Sequence, residues 1–137
     1  MRRGLEIDAV GVVLNGQSSE TEILASPLGA SMKPLVFNGE HHSYSVSKPI
    51  RITDQEFQLN LYFYSGYLNS VSMSLSSHLS SWDDVTDAYI KNTKQLHDAW
   101  VMETFGKTED VSMPWGRISS EIDIKNGMPS IVCVFNS

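Results

Sequence analysis

Four histidines and one cysteine are the side chains of this 137-residue sequence best suited to metal or nucleophilic chemistry. Their spacing supports neither. His41 and His42 are adjacent, and neighbouring side chains on a strand point to opposite faces, so the pair chelates poorly. His78 falls in a serine-rich loop and His97 on the flank of an expected helix. No His-x-x-x-His or Cys-x-x-Cys spacing occurs, and one cysteine leaves too few soft ligands for structural zinc. Cys133 sits inside an apolar run and reads as a buried small hydrophobe rather than a nucleophile. Asp83, Asp84 and Asp87 gather where a helix should begin, and its positive end accounts for them. Glu109-Asp110 and Glu121 with Asp123 read as solvated charges, with no spacing that asks for a raised pKa or a glycosidase-type pair. Serine is abundant, but no Gly-x-Ser-x-Gly elbow is present. No glycine-rich loop links a strand to a helix, so a phosphate cradle is unsupported. The expectation is a chain with no catalytic residue, no metal ligand and no cofactor.

Recognition by surface groups is the chemistry that remains. Tyr62 and Tyr64 alternate with apolar residues and face away from them, so with Tyr44 they form a candidate aromatic patch. The charged side of the expected helix, Asp84, Asp87, Lys91 and Asp98, and the loop acids Glu109 and Asp110 are the other candidate partner contacts. The formal net charge of −6 repels phosphate backbones and suits a basic protein partner, so nucleic acid is not expected. No run of roughly 18 apolar residues exists to span a membrane. Met1-Arg2-Arg3 resembles the start of a leader, yet Glu6 and Asp8 interrupt the apolar run and no cleavage site follows. One cysteine rules out an internal disulfide and fits a reducing compartment, so the expected location is cytoplasmic.

The elements that must position these groups are readable in part. With 41% hydrophobic and 19% charged residues, the chain is expected to form one domain spanning 1–137 with a real core. Leu5 to Leu14 reads as a first strand ending at the turn pair Asn15-Gly16. Ser19 with Glu22 is a capping-box pattern for a short helix that Pro27 and Gly29 stop. Pro34 to Phe37 reads as a strand, Asn38-Gly39 as a tight turn, and His42, Tyr44 and Val46 as a strand half open to water. Ile50 to Ile52 suits a sheet edge. Phe57, Leu59, Leu61 and Phe63 share one face of a strand whose partner is Tyr67 to Leu75. A three-residue loop, Tyr64-Ser65-Gly66, keeps apolar residues opposite one another, pairing Phe63 with Tyr67, Leu59 with Val71 and Phe57 with Met73. Ser70, Ser72 and Ser74 then form a solvated face.

A long helix follows from about 82 to 105, capped by Ser81 and stopped by Gly106. Its expected core stripe is Trp82, Val85, Tyr89, Leu96 and Trp100, with Thr93 on the same face. A final hairpin opens at Trp115-Gly116-Arg117 and turns at Lys125-Asn126-Gly127. Ile131 to Phe135 is a continuous apolar run that suggests a strand covered on both faces or nearly so. The predicted class is α+β: an antiparallel sheet of hairpins packed on one long helix, the helix inserted before the C-terminal hairpin.

The stretch Phe63-Tyr64-Ser65-Gly66-Tyr67-Leu68, Ser81-Trp82, His97-Asp98-Ala99-Trp100, Phe105-Gly106, Trp115-Gly116-Arg117-Ile118-Ser119-Ser120 and Asp123-Ile124-Lys125 carries a resemblance. It resembles small uncharacterised proteins of Gram-negative bacteria, some of which look like immunity proteins of contact-delivered or secreted toxins. The likeness covers roughly Phe57 to Phe135, with Ser26-Pro27-Leu28-Gly29 upstream. Its motifs are caps, turns and core aromatics, so it carries over no functional residue. It implies a cytoplasmic binder that blocks a toxin through acidic groups meeting a basic surface; exposed strand edges leave monomer or homodimer open. The alternative expectation is a small-molecule or peptide pocket between sheet and helix, with Thr93, His97 or Tyr89 as polar contacts.

Overall fold

The computed structural model describes residues 3–75, 86–107, 111–123 and 127–136. The chain opens with a separate hairpin, β1 (Leu5–Ile7) and β2 (Val12–Leu14), whose strands pair antiparallel. The expected single strand from Leu5 to Leu14 is therefore two. The chain reverses between Asp8 and Gly11, where Val10 N–H donates to the Ile7 carbonyl and Gly11 has a φ of +66°. A short helix α1 (Glu20–Ala25) follows, with Ser19 accepting from Glu22 N–H as the capping pattern predicts. A 3-10 turn over Pro27–Ser31 then leads into the sheet.

The main sheet is antiparallel throughout. Its strands are β3 (Met32–Asn38), β4 (His41–Val46), β5 (Ile50–Ile52), β6 (Gln55–Tyr64), β7 (Tyr67–Leu75), β8 (Val111–Met113), β9 (Gly116–Ile122) and β10 (Pro129–Phe135). They lie in the order β3-β4-β6-β7-β10-β9-β8, and β5 continues the β4 side of β6 at its other end. A helix α2 (Asp87–Phe105) comes between β7 and β8, before the β9–β10 hairpin. The α+β class and the place of the helix agree with the sequence reading.

Alternation divides the sheet into two faces. Phe57, Leu59, Leu61 and Phe63 of β6 are buried beside Leu68, Val71 and Met73 of β7, and Ile131 and Cys133 of β10 continue the same row. Ile118 of β9 and Val111 of β8 complete it. The β1–β2 hairpin, α1 and α2 supply Leu5, Leu14, Ile23, Trp100 and Val101 to this single core. Trp100 packs edge-on against Phe57 at 4.9 Å between ring centroids, and its indole N–H donates to Thr53 Oγ1 at 2.8 Å. Emptying such a site to alanine costs about 3–5 kcal/mol, so α2 is fastened to the sheet chiefly here.

Four local expectations are corrected. Helix α2 begins at Asp87, and its N-cap is Thr86, whose hydroxyl accepts from Tyr89 N–H; Ser81, Trp82 and Val85 lie outside the described residues. The buried stripe is Thr93, His97, Trp100 and Val101, while Leu96 is exposed. The helix sequence separates apolar from polar residues weakly, so packing rather than periodicity chooses the buried side. The β6–β7 turn has two central residues, Ser65 and Gly66, at φ +51° and +85° as a type I′ turn requires. A bulge at Asn69 then resets the register, so that Leu61 faces Val71, Leu59 faces Met73 and Phe57 faces Leu75. Finally, β10 is covered on one face only, since Val134 is exposed between buried Cys133 and Phe135. The strand β8 is an addition that three residues of sequence do not announce.

Candidate partner-binding surface

The opposite face of the sheet has no described element packed over it. Tyr64 of β6 stands on this face between His41 of β4 and Tyr67 of β7, its lateral partners in the register. The His41 and Tyr64 rings are 4.8 Å apart and tilted by 51°. Tyr62 lies behind them between Ser43 and Ser70. Tyr62, Tyr64 and Tyr67 are 38%, 48% and 54% exposed, large values for aromatic rings on a regular sheet. Two turns close this end of the sheet, and Ser65 N–H donates to the Glu40 carbonyl to join them. Further along, the face becomes polar. Gln58, Asn60, Ser70, Ser72, Ser74 and Ser130 border a shallow cleft of about 310 Å³. The serine alternation is thus a solvated sheet face, with hydroxyls and amides available to a partner.

Tyr44 does not belong to this patch. It faces the core, 5% exposed, because strand alternation places it with Phe63 and not with Tyr62. Its hydroxyl donates to Glu20 Oε2, and His42 Nδ1 donates to the same carboxylate at 2.9 Å. Burial alone would raise the Glu20 carboxyl, but the Tyr44 hydroxyl and the His42 ring outweigh it and lower the pKa. Burial and the same carboxylate push the Tyr44 hydroxyl up to about 12. Phe37 stacks flat on His42, with centroids 4.0 Å apart and planes 3° apart. Glu20 therefore ties α1 to the sheet and fixes the ring on which Phe37 rests.

The charged candidates lie on the other side of the sheet. Asp87 and Lys91 are exposed on α2. Asp98 is half-buried and bonded to Lys94 at 2.6 Å, one helical turn away. Burial alone would raise its carboxyl, but the Lys94 ammonium overcomes this and keeps it below the ordinary range. Asp84, Glu109 and Asp110 lie outside the described residues. The structure thus separates Tyr62 and Tyr64 from Asp87, Lys91 and Asp98, with the sheet between the two groups.

Two of the residues expected to border a pocket between sheet and helix are packed into the core. Thr93 and His97 are buried, and His97 Nε2 accepts from Leu75 N–H at 3.0 Å. Cys133 is 1% exposed and burial pushes its thiol up to about 12, in keeping with a core role. A groove of about 570 Å³ opens instead at the C-terminal end of α2, bordered by Glu6, Asp8, Asp54 and Glu103. Nothing in the sequence links these acids, because they come from the β1–β2 hairpin, the β5–β6 turn and the end of α2. No three acids, histidines or cysteines among the described residues are placed to share a metal ion. No described helix is long and apolar enough to cross a membrane.

No protein-family model and no curated protein matches this sequence. The fold is nevertheless similar to that of a chain in the solved structure of Rhs1-CT in complex with cognate immunity protein RhsI1. The TM-score is 0.54 at 18% identity, over 92% of this chain and 79% of that one.

Proposed function

We propose that this protein is a non-catalytic binder of the immunity type, which neutralises a cognate toxin by holding it against the open face of its sheet. The observation that carries this reading is the Tyr62–Tyr64–Tyr67 patch with His41. Half-exposed aromatics on a rigid scaffold offer large contact area at little entropic cost, the usual character of interface anchors. The fold shared with a chain of a toxin-associated immunity complex supports the same reading. The adjoining cleft supplies hydroxyl and amide groups for a hydrogen-bonded rim.

Charge supplies the second contribution. The net −6 favours encounter with a basic domain, accelerating association more than it adds affinity. The exposed Asp87 and the acids of the Glu6–Glu103 groove would act in this long-range way. Co-expression with the product of the gene immediately upstream of this one tests the proposal. Restored growth together with a co-purifying stoichiometric complex is the expected result. Toxicity undiminished by the chain, with no complex, would overturn it.

A further inference from the structure

One end of the sheet is an edge that the fold leaves bare. Among the described residues, strand β3 has a hydrogen-bonded neighbour on one side only, β4. Its first half is blunted by Pro34 and by the bulge between Pro34 and Val36. Its second half carries no such protection. Leu35, Val36 and Phe37 are consecutive and 52%, 62% and 52% exposed. The other edge, β8, is only three residues long and cannot template much pairing.

Backbone direction at this edge follows from one bond and the register. Val36 N–H donates to Ser43 Oγ at 3.2 Å, so it points toward β4. Asn38 and His41 close the two-residue turn Gly39-Glu40, so Asn38 also faces β4. Successive residues of a strand aim their peptide groups at opposite edges, which turns the Phe37 N–H and carbonyl outward. The Phe37 side chain is meanwhile held by its stack on His42, whose ring Glu20 fixes. An apolar, pre-ordered strand edge is a pairing site.

The charges at its ends indicate what pairs with it. Lys33 is exposed at one end of β3, with exposed Lys48 two residues past β4, and Glu40 is exposed at the other end. The edge is therefore complementary to itself when reversed. We infer that β3 docks antiparallel on β3 of a second copy of this chain, making one continuous sheet through both. A two-fold axis at Val36 sets Phe37 of one copy opposite Leu35 of the other. It also sets Lys33 opposite Gly39, one residue from Glu40 of the second copy. The net −6 on each copy opposes approach, but that repulsion is screened beyond about 8 Å at physiological salt, whereas the adjacent Lys33 and Glu40 pairs are not. The pairing is short and makes a weak, concentration-dependent dimer. It does not depend on the toxin-binding reading, since it is argued from the β3 edge alone.

Sedimentation equilibrium of the full chain over a wide concentration range tests this. A monomer–dimer equilibrium is expected, and Val36→Lys should weaken it by about tenfold or more. Lys33→Glu and Glu40→Lys should each weaken it, and the double variant should restore it. Both positions are exposed, so these variants keep the fold even if Val36→Lys does not. Amide exchange at Leu35 to Asn38 should slow as concentration rises. A chain monomeric at every concentration overturns the inference. So does a dimer indifferent to all these changes, a double variant that fails to rescue, or an edge protected only when toxin is added.

Discussion

The Leu75 backbone N–H donates to His97 Nε2 at 3.0 Å, joining the end of β7 to the middle of α2 across the core. A ring nitrogen that accepts this bond must be unprotonated. His97 is fully buried, and burial pushes its pKa down to about 4. The neutral ring is thus part of how the helix is seated, and His97 is one acid-sensitive point of the fold.

His97 binds its proton more readily in the unfolded chain, at about 6.5, than in the folded one, at about 4. Its contribution is complete above the unfolded value and is lost as pH falls from about 6.5 toward 4. The full span is worth on the order of 3 kcal/mol. Urea unfolding measured between neutral pH and pH 4 should show this decline. His97→Gln keeps an acceptor near Leu75 without titrating there, so its curve should be flatter in that window. Parallel curves for the two proteins would show that His97 is not the responsible group.

Glu20 has a linkage of the same sign in a more acidic window. Its folded pKa is lowered, so the stabilisation is present above the ordinary carboxyl value and lost as pH falls through the folded one. Two bonds to one carboxylate, from Tyr44 and His42, are partly exposed to water and together worth roughly 1–2 kcal/mol. Glu20→Gln should lower the thermal midpoint at pH 7. At a pH below the folded pKa the variant and the parent should melt alike. A constant difference at both pH values would locate the effect in packing and not in charge.

What the sequence disclosed follows the range of the interactions involved. The Ser19 cap, the Gly106 stop and the Phe57–Phe63 alternation depend on neighbours within a few residues, and all are found in place. The Asn69 bulge is different. Its purpose, keeping Leu59 and Leu61 opposite apolar partners, was legible, but the same end is served by a longer turn, and local sequence does not distinguish them. His97 is buried in place of Leu96 because a rotation of less than one residue step about the helix axis, with Trp100 docked on Phe57, decides which side faces the sheet. Glu20, His42 and Tyr44 meet only because β4 lies beside β6 and α1 folds back over that end. Tyr62 and Tyr64 were legible as outward-facing, whereas the openness of their face depended on where every other element went.

Cys133 offers a chemical check on the core. It lies on β10 between Val71 and Ile118, and its thiol is held protonated up to about 12. A thiol reagent such as Ellman's should leave the folded protein unmodified at pH 8 and react with one equivalent in denaturant. Prompt reaction in native buffer would mean that the β7–β10–β9 region opens readily, contrary to its packing.

The separation of Tyr64 from Asp87 by the sheet makes the two candidate contact sets distinguishable. If the open face is the interface, Tyr64→Ala should weaken toxin binding by about 2 kcal/mol or more, roughly thirtyfold, as for a central aromatic anchor. Tyr67→Ala should act in the same direction, because its ring flanks Tyr64 in the register. Asp87→Asn and Lys91→Ala should change affinity by less than about 0.5 kcal/mol, with Asp87→Asn slowing association at low salt. Calorimetry gives the affinities, and stopped-flow mixing at two ionic strengths gives the rates. These side chains are exposed, so folding is not the limiting factor in any variant. The reverse pattern, with Tyr64→Ala silent and Asp87→Asn or Lys91→Ala costly, would move the interface to the α2 side of the sheet.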